Sequence, residues 1–288
     1  MLEVRDGTVK TQGFRCAECG MCPWVDHCYE QWVERSCVCL VRYTTGDTAR
    51  RLVDAGHRSY IDLAAVSEDR IAAITGVDEQ AAAIICTHAR ARVEGRPIPR
   101  GLSLLAVPPL VLHYDIETYG DLVYLHGLVV RKGDAREERS FMARRLEDEC
   151  SAWHALLDYL ADHEGAVIYT WTAYERGFAD ELWRKYGGNE GGWRVLDRGM
   201  VDLCQVVQEH FALPVATYGL KEVAPIFGFA WQSDDAGGLN SEAWYREWLE
   251  REDQAVINKL LEYNLDDVRA MEVVLDNLTG LSAQEGMW

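Results

Sequence analysis

The stretch LVLHYDIETYG, residues 110 to 120, places two carboxylates, Asp115 and Glu117, at the end of an otherwise apolar run. A strand alternates its side chains, so residues 115 and 117 point to one side of a sheet and Ile116 to the other. Two like charges beside a core cost several kcal/mol per ion, or lift one pKa until that acid is neutral. A strand running through this segment therefore demands something cationic nearby. The plain alternative ends the strand at Tyr114 and leaves both acids in a solvated turn before Gly120 and Asp121.

The chain of 288 residues is long enough for two units, each able to bury a core. Residues 1–44 read as a cysteine-rich segment, 45–104 as short helices and a linker, and 105–288 as the larger domain. The linker, GRPIPRGLSLLAVPPL, holds four of the seven prolines. Beyond it come three strand-like runs, LVLHYDIET, LVYLHGLVV and ERSFMA, with a turn at Gly120-Asp121 between the first two. A helix over about 146–163 has Trp153, Leu156, Leu157 and Leu160 on one face. A fourth strand, AVIYTW, leads to a helix at YERGFADELWRKY. The loop GGNEGG, helical segments to about residue 228 and an acidic loop at SDDAGG follow. The last helix, roughly 252–277, is the longest and most periodic. This order is mixed α/β with an antiparallel start.

No apolar run approaches the roughly 18 residues that span a bilayer, and the N-terminal MLEVRDGTVKTQG has no signal-peptide core. The expectation is a cytoplasmic protein without membrane contact. The net charge is -18, and it is uneven. Residues 1–100 carry 13 Lys and Arg against 14 Asp and Glu, whereas residues 101–288 carry 16 against 33. Such an acidic surface argues against broad, sequence-independent binding of duplex DNA, which depends on neutralising phosphates. It leaves room for an enzyme whose metal ions supply the positive charge.

In the last helix, LLEYNLDDVRAM sets Tyr263 and Asp267 four residues apart on one face, with Asp266 rotated about 100° towards water. Asp115-x-Glu117 on a first strand, an acid after the fourth strand and Tyr263-x-x-x-Asp267 on a late helix resemble the DnaQ-like 3′-to-5′ exonucleases of the DEDDy branch. More closely, LHYDIETYGDLVYLHGLVV, IYTWTAYERGFADEL, TYGLKEVAPIFGF and LLEYNLDDVRAM resemble the YprB-type exonuclease domains, including those at the C-terminal ends of RecB-like nucleases. The resemblance covers roughly residues 105–278. It implies a ribonuclease-H-like mixed sheet flanked by helices, and hydrolysis of phosphodiesters by two Mg²⁺ or Mn²⁺ ions about 3.5–4 Å apart. It also implies that Asp115 bridges the ions, Glu117 and Asp267 hold the first, and Tyr263 orients the attacking water. Hard cations favour such carboxylate oxygens.

The second motif departs from this family. An Asp usually follows the aromatic residue there, whereas this chain has Tyr174-Glu175, with Asp180 as the fallback ligand. A first-turn acid placed by the helix dipole is the ordinary reading of Glu175. Asp202 in MVDLCQVV reads as an acid near the site or a helix cap. Lys221 reads as a solvated helix lysine or a phosphate contact. His113 and His126 read as packed or satisfied strand residues.

CAECGMCPWVDHC places Cys16, Cys19, Cys22 and Cys28 within thirteen residues. In a cytoplasmic chain such thiols point to a bound metal rather than to disulfides. The tight spacing, with Pro after the third Cys, favours a [4Fe-4S] cluster, and structural zinc is the alternative. In RecB-like relatives the comparable segment closes an iron-sulfur nuclease domain whose remaining ligand lies far upstream. Here Cys16, or else Cys37 or Cys39, completes the set, and the lack of that upstream domain points to a partner chain.

RIAAITGVDEQAAAIICTHA is similar to a helix-hairpin-helix, with Gly76 in the turn and Ala81 and Ile84 on the second helix. Asp78 stands where a second glycine would admit a phosphate, so the hairpin reads as packing. Arg90, Arg92, Arg96 and Arg100 remain candidates for touching a nucleic-acid backbone. The combined expectation is a metal-dependent 3′-to-5′ exonuclease acting on single-stranded nucleic acid, DNA in preference to RNA, beside a metal-bound helical module. The competing readings are a catalytically weak scaffold that partners a helicase or another nuclease, and a redox sensor.

Overall fold

The computed structural model describes residues 13–100, 108–232 and 238–285. The chain divides into two compact units: 1–100 together with 211–218, and 101–210 together with 219–288. Residues 211–218 thus group with the smaller unit rather than with the rest of 105–288. The acidic loop expected at SDDAGG lies largely outside the described residues.

The smaller unit is helical. A 3-10 turn at Ala17–Met21 leads into α1 (Val25–Glu34), then α2 (Asp47–Asp54), α3 (Tyr60–Ala64), α4 (Glu68–Thr75) and α5 (Glu79–Glu94). Ser59 and Asp62 exchange reciprocal bonds at the start of α3, satisfying backbone donors there. Gly76 ends α4 in the left-handed conformation that costs glycine nothing. Asp78 then caps α5, its Oδ1 accepting from the Ala81 N–H at 2.7 Å. Arg51 of α2 donates to the Thr75 carbonyl at 2.7 Å, tying the end of α4 to that helix. The buried face of α5 is Ala82, Ile85, Cys86 and Ala89, one residue beyond the Ala81 and Ile84 expected from spacing. A two-residue strand, β1 (Ile98–Pro99), completes this part of the unit and pairs antiparallel with residues 211–212.

The larger unit is built on a five-stranded mixed sheet. Its strands are β2 (Leu110–Tyr119), β3 (Leu122–Lys132), β4 (Ala135–Met142), β5 (Val167–Thr170) and β6 (Met200–Asp202), in the spatial order β4-β3-β2-β5-β6. Two tight turns make β2, β3 and β4 an antiparallel meander, while β5 and β6 run parallel to β2. The charged sequence AREERSFM suits β4, which is an edge. The three-residue β6 went unread because MVD is too short for any alternation to register.

Leu112, Tyr114 and Ile116 of β2 enter an apolar core with Trp153, Leu156, Leu157 and Leu160 of α6 (Glu149–Leu160). The same core takes in Ala179 and Leu182 of α7 (Tyr174–Tyr186) and Val195 and Leu196 of α8 (Glu190–Gly199). Helix α8 takes up the last residues of the expected GGNEGG loop. Asn189 caps it through the N–H groups of Gly191 and Gly192. A Cβ on Gly192 would stand 1.8 Å from the Leu157 carbonyl oxygen, so the glycine permits close approach to α6.

After β6 come α9 (Leu203–His210), β7 (Phe211–Ala212), α10 (Leu220–Val223), α11 (Gly238–Arg251) and α12 (Gln254–Glu285). Helix α12, at 32 residues, runs eight residues past its expected end. It is fastened to β3 and β4 by ion pairs: Arg131 with Asp276 at 2.6 Å, Arg136 with Glu272 at 3.0 Å and Arg269 with Glu138 at 2.7 Å. Among the described residues no helix is long and apolar enough to cross a membrane.

Candidate active site

Because 114 and 116 face the core, alternation turns Asp115 and Glu117 to the opposite face of β2, where α12 lies. The strand does not stop at Tyr114. It runs to Tyr119, and the pairing with β3 shifts between Glu117 and Thr118, an irregularity of the kind that re-aims side chains beside active sites. Helix α12 brings Tyr263 and Asp267 to the same place on one face. One carboxylate oxygen each from Asp115, Glu117 and Asp267 lie within 4.8 Å of one another. Among the described residues this is the one group of three or more ligating side chains gathered closely enough to hold an ion.

Each acid has a donor aimed at it. Asn264 Nδ2 donates to Asp115 Oδ2 at 2.7 Å, and the Ser241 hydroxyl to Glu117 Oε2 at 2.6 Å. The Trp231 indole donates to Asp267 Oδ1 at 2.6 Å. Lys221 donates to the Tyr263 hydroxyl at 2.7 Å, with its ammonium 4.6 Å from the ring centre. It is an exposed helix lysine, as read from the sequence, whose ammonium is bonded at the edge of the acids. Asp266 is buried rather than facing water: it accepts from the Gln232 N–H at 2.8 Å and from Arg269 at 3.0 Å. The helical wheel was right about its direction, but residues 231–232 lie over that side of the helix.

These donors do not offset the loss of water. Burial, then the charges of Asp267, Glu117 and Glu175, drive the Asp115 carboxyl well above the ordinary range, against the pull of Asn264. Burial pushes Glu117 up to about 8, with the Ser241 hydrogen bond opposing it. Asp267 rises to about 6 through burial, held back by Lys221 and Trp231. Tyr263 is raised by burial and by the charges of Asp267, Glu117 and Asp115. Such clustering of perturbed acids in one place could hold a divalent cation.

Glu175 stands in the first turn of α7, just past β5, and is 4% exposed. Burial lifts it to about 7, its own N–H and that of Thr172 oppose the rise, and the Asp202 charge adds to it. Its Oε2 has no hydrogen-bond partner. Its charge is one of those raising Asp115. Asp180 sits a turn further along α7, where its carbonyl receives Arg184. Asp202 caps α9 through the Gln205 N–H at 2.8 Å. His113 is packed against Tyr169 but is not satisfied, as neither ring nitrogen has a partner and burial holds it neutral, with a pKa of about 3. His126 Nδ1 pairs with the Tyr114 hydroxyl at 2.8 Å, and its Nε2 is unpartnered.

A sequence model of the RNase_H superfamily matches residues 112–279, more than half of the chain. The chain belongs to the RNase_H superfamily. All the acids just described lie inside the matched span, and the mixed sheet with its flanking helices is that of an RNase H-like domain. No curated protein and no solved structure matches the chain significantly. An acidic site of this kind on an RNase H-like domain is the equipment of a metal-dependent nuclease. The donors supplied by Asn264, Ser241 and Trp231 escaped the sequence reading. Only Asn264 left a trace, as an amide on the buried face of a periodic helix.

The cysteines are arranged differently. None of the nine forms a disulfide among the described residues. Cys16 precedes the 3-10 turn and Cys19 lies within it, their sulfurs 3.7 Å apart, and the sulfurs of the buried Cys37 and Cys39 lie 3.1 Å apart. Among the described residues no three cysteines come within ligating range of one another. Of the arginines considered for nucleic acid, Arg92 lies over the Tyr60 ring at 4.8 Å and Arg96 pairs with Glu94 at 2.6 Å.

Proposed function

We propose that this chain is a 3′-to-5′ exonuclease of the DEDDy type, hydrolysing single-stranded nucleic acid, DNA in preference to RNA. The observation that carries the reading is the convergence of Asp115, Glu117 and Asp267 within 4.8 Å on a superfamily domain. The donor set fits hard divalent cations: carboxylate oxygens only, buried or half-buried, with raised pKa values and an unpartnered Glu175 oxygen beside them. When bound, Mg²⁺ or Mn²⁺ ions neutralise these acids, lower the pKa of a water and stabilise the leaving oxygen. Asp115, Glu117 and Asp267 are the ligands we assign to one ion, with Glu175 and Asp115 serving a second.

Tyr263 acts by position. A free tyrosine's pKa near 10 already makes it a poor base near neutral pH, and in the metal-free chain burial and the charges of Asp267, Glu117 and Asp115 raise it further. Its oxygen accepts from Lys221 and its hydrogen faces Asp267, which fixes a polar atom at the edge of the acids for orienting a water. Lys221 brings a fixed positive charge to that edge, where it favours an incoming phosphate.

We further read Cys16, Cys19, Cys22 and Cys28 as ligands of a [4Fe-4S] cluster, or of zinc, on the strength of their spacing and of the close Cys16–Cys19 pair. A helicase or nuclease chain is the partner we assign to this module. Incubating the full chain with Mn²⁺ and 5′-labelled DNA and RNA oligonucleotides tests the main reading. A ladder shortening from the 3′ end, lost in Asp115→Ala, is expected. Intact oligonucleotide with both Mg²⁺ and Mn²⁺ would leave the chain a scaffold.

A further inference from the structure

Asp115 stands opposite Gly127 in the β2–β3 ladder. Over that glycine lies the carboxamide of Asn264, fully buried. A Cβ on residue 127 would stand 1.8 Å from Asn264 Oδ1 and 2.9 Å from its Cγ, closer than any real contact. Gly127 in mid-strand forgoes side-chain packing and costs backbone entropy, which is out of place in a strand buried on both faces. The space it leaves is filled by one group, and that group donates to Asp115 Oδ2 at 2.7 Å. Asn264 Oδ1 has no hydrogen-bond partner, so the amide is not there to complete a network of its own.

We propose that Asn264 and Gly127 act together as a positioning pair for the metal ligand Asp115. Gly127 makes the room, and Asn264 uses it to pin one oxygen of Asp115 so that the other is presented to a cation. This inference rests on the metal-dependent reading given above. The choice of an amide has a physical reason. A lysine or arginine at 264 would also hold Asp115, but its charge would satisfy the acids and compete with the ion. A neutral donor fixes geometry and leaves the negative charge unspent.

Mn²⁺ binding to the full chain, followed by electron paramagnetic resonance alongside thermal melting, tests the pair. Asn264→Leu keeps the volume and removes the donor; Asn264→Ala removes both. Each is expected to bind Mn²⁺ about tenfold more weakly, in the range that ligand-orienting partners command. Gly127→Ala in the wild-type background is expected to weaken binding to a similar degree. In the Asn264→Ala background the same Gly127→Ala change is expected to alter binding less than about twofold, because the new methyl finds the vacated space. If Asn264→Leu does not fold, Asn264→Ala and the double variant carry the same expectations. A residue that merely supports the fold would lower the melting temperature without selective loss of Mn²⁺ and without this non-additivity. Wild-type binding with both Asn264 variants within twofold of it overturns the proposal, as does an equal cost of Gly127→Ala in both backgrounds. Absence of Mn²⁺ binding in the wild-type chain overturns the metal-dependent reading itself.

Discussion

The acids of the larger unit and the thiols of the smaller one are two proposed metal sites, built in opposite ways. Asp115, Glu117, Glu175 and Asp267 come from three separate elements and span about half of the chain, yet the fold gathers the triad, buries Glu117 and Glu175, and bonds a polar donor to each member of the triad. Cys16, Cys19, Cys22 and Cys28 lie within thirteen residues, yet they sit around a short 3-10 turn and the start of a helix with only one close pair. The contrast teaches where the ordering energy comes from. A sheet and a long packed helix hold ligands in place before any ion arrives. On the proposed reading, a cysteine segment built on one short turn and a helix start would depend on its ion to draw the thiols together.

The sharpest way to break the comparison is to remove a ligand from the ordered side. Asp115→Ala should lower oligonucleotide cleavage by about 10³-fold or more, since a lost ion forfeits several kcal/mol of charge stabilisation. Its circular dichroism should stay that of the wild type.

The next test acts on the thiols. The Cys19→Ser, Cys22→Ser double variant should lose its bound iron or zinc by elemental analysis and melt earlier in the smaller unit. The Mn²⁺ affinity of the acids should change less than about twofold. Equal loss at both sites would end the distinction.

A smaller effect is expected of Tyr263→Phe, about tenfold in kcat with little change in KM, because an orienting hydroxyl is removed and no base. The pH profile should keep its shape.

The smallest effect concerns pH. In chelator, Glu117 holds its proton up to about 8 when folded, against 4.5 as its reference value. The folded state binds the extra proton, so this contribution to stability is present at low pH and is lost as pH rises from about 4.5 towards 8. The melting temperature should therefore fall between pH 5.5 and 8, and Mn²⁺ should restore it. In Glu117→Gln, the fall should be shallower.

Much of the ordered side could be read without coordinates. Asp115 and Glu117 follow strict alternation, and Tyr263 and Asp267 follow the helical repeat, so local periodicity alone put each pair on one face. What could not be read depends on what covers a face. Asp266 points where its helical position says, but residues 231–232 shield it from water. Ser241 reaches Glu117 across 124 positions, and Asn264 reaches Asp115 across 149. No local pattern encodes such a bond. Gly127 carried a signal, a glycine in the middle of a β-branched run, whose meaning needed the side chain lying over it. Lys221 stood in a motif, and its place beside Tyr263 follows from the docking of α12, not from its neighbours in sequence.

The arginines along the meander give the larger unit two unlike seams. On the core side, leucines and tryptophan join sheet to helix, and salt hardly touches such contacts. On the reactive side, Arg131, Arg136 and Arg269 lace α12 to the outer strands through carboxylates that are in part exposed. Added electrolyte, with a screening length near 8 Å at physiological strength, acts on that lacing first. Brine should thus weaken those pairs, while the apolar contacts of Ile257 and Leu260 with Leu125 on the same side keep α12 seated.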